Sequence, residues 1–317
     1  MRKFKLKEEL KKGYAGIPYD VHLILPGIYI SRKLRKYKKG KERAIHGLGV
    51  MMANILLGDL RRKYKKQIVN LKSKIDESYK SLPHVHSNKV WVCWMQGMEN
   101  APEVVKVCYQ SILDNFKDRE VVLITAENVS EYAEFPDYVI DKYKRGIITH
   151  THFSDILRLE LLNRYGGTWI DATMFCTDSN FPDYMLNDKL FIVQNIEDSA
   201  VQIESFFITA ESHNKLLELT LGLLYEYWKK HNVLVHYLLM FYFFKIATEE
   251  YAEEWADVIP FARTTVKAID YNLESPFNER VYNEILKLTP IHKLTYKKPI
   301  KDGTYFDYII KNYKAFK

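Results

Sequence analysis

From residue 89 onward the chain alternates short apolar runs with longer amphipathic stretches. Val90-Trp91-Val92-Cys93-Trp94 is apolar throughout, the pattern of a parallel strand covered on both faces. Residues 101–115 read as a helix, with Pro102 suited to its first turn. A second strand is predicted at 120–125, short helices at 129–135 and 137–143, a longer helix at 155–165 and a strand at 168–171. Further strands are expected at 190–194 and 205–209, and long helices at 215–231 and 235–248. Strands separated by helices predict an α/β fold, a mostly parallel Rossmann-like sheet flanked by helices.

Residues 1–80 have a different character. Residues 44–60 are apolar but interrupted by Gly47, Gly49 and Gly58, and are too short to span a bilayer securely. Residues 61–79 read as a charged helix. The polar segment 81–89 follows as a connector, so the expected division is a helical region at 1–80 and a larger domain at 81–317. His84 and His86, in that connector, have no nearby carboxylate that would make them a metal pair. The apolar stretch at 233–244 is too short for a span and fits a buried helix.

Charge sharpens this division. The net charge of +7 conceals 22 Lys/Arg against 7 Asp/Glu in residues 1–80, and 25 against 33 in the remainder. Basic blocks at 32–43 and 61–66 suit an anionic membrane surface. Nucleic acid is not expected, because the basic segment lacks interleaved aromatic residues. An apolar content of 47% supports a full core. The odd count of three cysteines, without metal spacing, argues against a disulfide framework or zinc site. The amino terminus is basic but has no apolar signal-peptide core.

The densest chemistry lies between residues 152 and 173. Ser154-Asp155-Ile156-Leu157-Arg158 places an acid and a base one helical turn apart on one face. Tyr165-Gly166-Gly167-Thr168-Trp169-Ile170-Asp171-Ala172-Thr173 then stops that helix with a glycine pair, runs through a short apolar strand and ends on Asp171. Open α/β sheets bind ligands beyond the carboxyl ends of their strands, where Asp171 is expected. An intrahelical ion pair is the plain alternative for Asp155 and Arg158.

These residues resemble the sugar-transferring domain of the Gly-Gly-x-Trp/Tyr-x-Asp-x-Asp glycosyltransferases, which include yeast initiating mannosyltransferases and the glucosylating domains of clostridial toxins. More narrowly, they resemble the bacterial capsular polysaccharide synthesis proteins, which read Ser-Asp-Ile-x-Arg and Tyr-Gly-Gly-x-Trp-x-Asp-Ala-Thr. The resemblance covers residues 90–177, extends weakly to 291–296 and leaves the first 80 or so uncovered. It implies a GT-A-type fold with an N-terminal helical extension. It also implies a glycosyltransferase that moves a sugar from a nucleotide-sugar donor, a UDP-sugar first, to a glycan or lipid-linked oligosaccharide acceptor. Transfer would retain the anomeric configuration, in capsule or other surface polysaccharide assembly. Such an enzyme would be cytoplasmic and peripheral on the inner face of the plasma membrane.

The same resemblance assigns roles. Asp155 and Arg158 match the pair that contacts the donor's sugar and ribose. Trp94 matches the tryptophan that stacks on the donor base, with Gln96 and Gly97 in the same turn. Tyr165 and Gly167 would adjoin the donor. Asp171 would bridge a divalent cation, Mn²⁺ or Mg²⁺, to the diphosphate. The chain departs from Asp-x-Asp here, because Thr173 offers only a neutral hydroxyl. The metal would be held through water or by Asp171 plus a residue elsewhere, His292 being one candidate, and Lys293, Lys297 and Lys298 would face the diphosphate. Two alternatives share this site: an enzyme that modifies protein side chains, and a non-catalytic nucleotide-sugar-binding protein, kept open by Thr173.

Overall fold

The computed structural model describes residues 42–198 and 200–313. Nearly all of the basic block at 32–43 lies outside them. Among the described residues there are eight strands: β1 (Lys89–Cys93), β2 (Glu120–Ile124), β3 (Gly167–Ile170), β4 (Met174–Cys176), β5 (Leu190–Gln194), β6 (Ile203–Ala210), β7 (Phe261–Ala262) and β8 (Ile291–Lys293). Six form one sheet in the order β2-β1-β3-β6-β5-β7, while β4 and β8 form a separate antiparallel pair. β1 is parallel to β2 and β3, and β5 to β7. β6 runs antiparallel to both β3 and β5. The expected mostly parallel sheet is present, with β6 as its one reversed strand.

Each sheet face carries its own core, which is why β1 and β5 read as nearly unbroken apolar runs. In β1, Trp91 joins one core while Val90 and Val92 join the other. The first core is covered by α1 (Glu42–Tyr79), α3 (His150–Tyr165), α4 (Lys215–Lys230) and α5 (Leu239–Glu250). The second is covered by α2 (Glu103–Asn115) and shorter helices near the C-terminus, including Tyr305–Asn312. The boundaries expected from sequence recur within a few residues, except that α3 starts at His150 instead of 155. The Thr149 hydroxyl caps it by accepting from the His152 N–H at 3.3 Å.

The division at residue 80 does not match the packing. One continuous helix, α1, covers both the apolar stretch and the charged stretch after it. Leu56, Leu57, Leu60, Tyr64, Ile68 and Ile75 recur at helical spacing and are buried in the same core as Trp228 and Phe243. The Tyr64 ring meets Phe243 edge-on at 5.3 Å. Gly222 of α4 lets Leu71 approach, since a Cβ at 222 would lie 3.1 Å from the leucine methyls. The apolar stretch at 44–60 therefore contributes largely to the first core's outer wall, and α1 belongs to the same folded unit as the sheet.

The glycine pair is a structural requirement. Gly166 and Gly167 have φ of 69° and 94°. A Cβ at 166 would lie 2.4 Å from the Val85 carbonyl oxygen, and one at 167 would lie 2.4 Å from that of Lys89. Gly166→Ala is expected to destabilise the fold by about 2 kcal/mol or more, because strained φ and backbone overlap add. A thermal melt checks this, and an unchanged Tm would mean that the loop at Val85 yields freely.

Candidate active site

Asp155 and Arg158 lie on α3 facing the carboxyl ends of β1 and β3. They are only 5% and 4% exposed, so this is a buried pair and not a solvated helix face. Arg158 Nη2 is 3.2 Å from Asp155 Oδ1. The guanidinium is held on every side. Nε donates to the Ser154 carbonyl at 3.2 Å, Nη2 to Ser154 Oγ at 3.0 Å, and Nη1 to the Ser205 carbonyl. Its central carbon lies over the Trp169 ring, 4.9 Å from the centroid. His152, one turn earlier, places Nδ1 3.5 Å from the second Asp155 oxygen.

Asp171 follows β3 directly. Its N–H donates to the Phe206 carbonyl at 2.9 Å, and its carbonyl accepts from the Met174 N–H at 2.8 Å, closing a turn. Oδ1 accepts from Trp169 Nε1 at 3.0 Å and lies 3.5 Å from Arg158 Nη1. Oδ2 accepts from Lys293 Nζ at 3.0 Å. Burial pushes the Asp171 carboxyl up. The Lys293 ammonium, the Arg158 guanidinium and the Trp169 N–H more than offset this, holding it below the usual carboxylate range. The Asp171 charge therefore supports the fold above the ordinary carboxylate pKa. That support is lost as pH falls through the lower folded value.

Lys293 reaches Asp171 because of strand register. β8 pairs with β4 so that Met174 lies opposite Lys293, and the Leu294 N–H donates to the Thr173 carbonyl at 2.9 Å. The ammonium also donates to the Thr173 hydroxyl. Alternation along β8 sends His292 to the other face. There it is fully buried beside Thr177 Oγ1, 3.2 Å from Nε2, and burial lowers its pKa to about 4, so the ring stays neutral.

Trp94 and Gln96 extend from the end of β1. The Trp94 N–H bonds the Ile124 carbonyl at 3.0 Å, and Gly97, with φ of 77°, closes the turn. Trp94 meets Tyr296 edge-on at 5.9 Å, a pair of rings at one end of the site. Cys93 beside it is no nucleophile, since burial pushes its thiol up to about 12.

Of the residues expected from sequence, Trp94, Gln96, Asp155, Arg158, Asp171, Thr173, Lys293 and Lys297 line one cleft of about 560 Å³. Five others do not line it. Tyr165 packs on Trp91 at 5.4 Å, and Gly167 admits the Lys89 carbonyl instead of a ligand. Gly97 shapes the turn without lining the cleft, and His292 faces away. Lys298 is turned to Asp270, donating to its carbonyl at 2.7 Å and lying 3.2 Å from its carboxylate. Tyr237 and Lys267 also line the cleft and were not expected. Tyr237 sits in a stretch whose only sequence signal is apolarity, and Lys267 stands in no motif.

The expected metal shell of Asp171, Thr173 and His292 does not fit the residues that are present. His292 is on the wrong face of β8. Both remaining oxygen sources already accept from Lys293, and the second Asp171 oxygen faces Arg158 and Trp169. A hard dication takes several oxygen ligands and would be repelled by an ammonium among them. Among the described residues, no group of three or more His, Cys, Asp or Glu side chains is placed to hold a metal ion.

The profile of the family described as "Capsular polysaccharide synthesis protein" matches residues 41–311. The O-glycosyltransferase braB of Annulohypoxylon truncatum is 32% identical over 105 residues, 29% of this chain. The chain spans about a quarter of that relative's length, 24%. Among solved structures, the PaToxG glycosyltransferase aligns with a TM-score of 0.37 and 17% identity, over 63% of this chain and 80% of that one. A transferase carrying two cysteine-to-serine substitutions aligns at 0.35 and 12% identity, over 57% and 94%.

Proposed function

The chain belongs to the capsular polysaccharide synthesis protein family, and from that premise we propose that it is a retaining glycosyltransferase using a nucleotide-sugar donor, a UDP-sugar first. One observation carries the proposal. The aromatic turn, the Asp155–Arg158 pair and the Asp171–Lys293 pair all open into one cleft beyond the carboxyl ends of β1 and β3. Such a cleft has the volume of an ordinary small-molecule site, a few hundred Å³.

Each part has a task suited to its chemistry. Trp94, with Tyr296 against it, offers a flat face for the donor base. Asp155 can accept from vicinal hydroxyls of the donor, and the fixed Arg158 fork supports it. Diphosphate oxygens would lie toward Lys293 and Lys297. The acceptor hydroxyl attacks the anomeric carbon on the face from which the diphosphate departs. The bond from that carbon to the β-phosphate oxygen breaks, its electron pair stays on the oxygen, and the hydroxyl proton passes to the diphosphate. No protein nucleophile is needed. The acceptor is a glycan, lipid-linked at an anionic membrane surface that attracts residues 1–41, which carry 13 Lys/Arg and 3 Asp/Glu. Among the described residues no helix is long and apolar enough to cross a membrane.

The test is a panel of UDP-, GDP- and CMP-sugars, with nucleoside diphosphate or monophosphate release measured alongside thermal shift. Release from a UDP-sugar is expected; a panel with no binding and no release overturns the proposal. Trp94→Ala should weaken UDP binding by about 1–3 kcal/mol, the scale of base–aromatic stacking. Calorimetry that finds unchanged UDP affinity in this variant would return Trp94 to a packing role.

A further inference from the structure

We propose that the Lys293 ammonium takes the place of a divalent cation in this enzyme, so that transfer needs no metal. The proposal rests on the glycosyltransferase reading of the cleft and goes beyond it. Three observations carry it. Lys293 Nζ sits between Asp171 Oδ2, at 3.0 Å, and the Thr173 hydroxyl, two of the three side chains expected to hold a metal. It is fixed there by backbone, through the pairing of β8 with β4 and the bond from the Leu294 N–H to the Thr173 carbonyl. The opposite Asp171 oxygen faces a second cation, Arg158, at 3.5 Å.

The donor count fits a diphosphate. An ammonium has three N–H donors. Asp171 and Thr173 take two, and the side chain remains 20% exposed in the cleft, leaving the third for a phosphate oxygen. Thr173 becomes intelligible in this light. A hydroxyl accepts from Lys293 without adding charge, whereas an aspartate at 173, beside the Asp171 carboxylate that already balances the ammonium, would make the site anionic. Asp-x-Asp builds an anionic site that requires a metal; Asp171, Thr173 and Lys293 together build a neutral one that keeps an ammonium donor facing the leaving group. As the bond from the anomeric carbon to the β-phosphate oxygen breaks, the electron pair moves onto that oxygen. Lys293, already in position, stabilises the charge there without reorganising. The acceptor's proton then leaves with the diphosphate, and the bond from the acceptor oxygen to the anomeric carbon completes the transfer.

The experiment uses the full chain, stripped of metal and assayed in excess EDTA and in Mn²⁺. UDP binding is measured by calorimetry, and UDP release from the active UDP-sugar by a coupled assay. Expected are equal UDP affinity and equal turnover in both conditions. Lys293→Met should lower kcat by about 10²–10³-fold, the scale for losing one fixed donor to a developing anion. Lys293→Arg should retain part of the turnover and its indifference to EDTA. UDP binding or turnover that disappears in EDTA and returns with Mn²⁺ would overturn the lysine's role while leaving the transferase standing. Wild-type kcat in Lys293→Met would do the same. If no nucleoside diphosphate binds in either condition, the function itself fails, and the inference falls with it.

Discussion

Asp171→Ala is expected to abolish turnover while leaving a folded protein. Asp171 is the anion shared by two cations that approach from different elements, Arg158 from α3 and Lys293 from β8. Without it, Lys293 keeps the Thr173 hydroxyl and the face of the Phe206 ring, and the ammonium regains much of the freedom of a four-carbon stem. The cost falls on the transition state, where a donor must already be in place, and it amounts to several kcal/mol, or ~10³-fold or more in kcat. The fold should survive because the Asp171 side chain is partly open to the cleft, at 27% exposure, so no sealed charge is left behind. Arg158 keeps Asp155, Ser154 and the Ser205 carbonyl. Asp171→Asn provides the sharper comparison, since it preserves shape and removes only the charge; a loss nearly as large is expected. Turnover and Tm measured together decide the matter. Wild-type turnover in folded Asp171→Ala would remove Asp171 from the chemistry.

Truncation should divide sharply according to where the chain is cut. A protein starting at residue 42 is expected to fold and to release nucleoside diphosphate at the full-length rate. It should also lose binding to vesicles rich in acidic lipid, because 13 of the basic residues precede that point. A protein starting at residue 81 is expected not to fold. The second cut removes Leu56, Leu57, Leu60, Tyr64, Ile68 and Ile75 from the first core and uncovers Trp228 and Phe243. Burying one such side chain contributes roughly 1.5–3 kcal/mol. Six of them rival the whole stability of a domain, about 5–15 kcal/mol. Circular dichroism and vesicle sedimentation report the two outcomes separately. A cooperative melt from the shorter protein would restore the boundary at 80. Acidic-vesicle binding by the protein starting at 42, or none by the full chain, would remove the membrane role of residues 1–41.

The sequence alone determined the parts of this protein whose information is local. Apolar runs marked β1 and β5, because a strand covered on both faces has no polar side to show. Pro102 and Gly166 marked helix ends, because each restricts or permits backbone angles that its neighbours cannot. Asp155, Arg158 and Asp171 were legible because one helical turn and one short strand place them at the same end of the sheet. Three things were decided only in three dimensions. The charges of residues 61–66 concealed a buried stripe on α1, since a helix can show one face to water and the other to α4 and α5. The reversal of β6 depends on which strands become its neighbours. The choice between His292 and Lys293 depends on the register of β8 against β4, and a shift of one residue would exchange their faces. Register is a property of two segments that are 117 residues apart at Phe175 and His292. No local pattern in either segment records it, yet it decides whether Asp171 meets an ammonium or an imidazole.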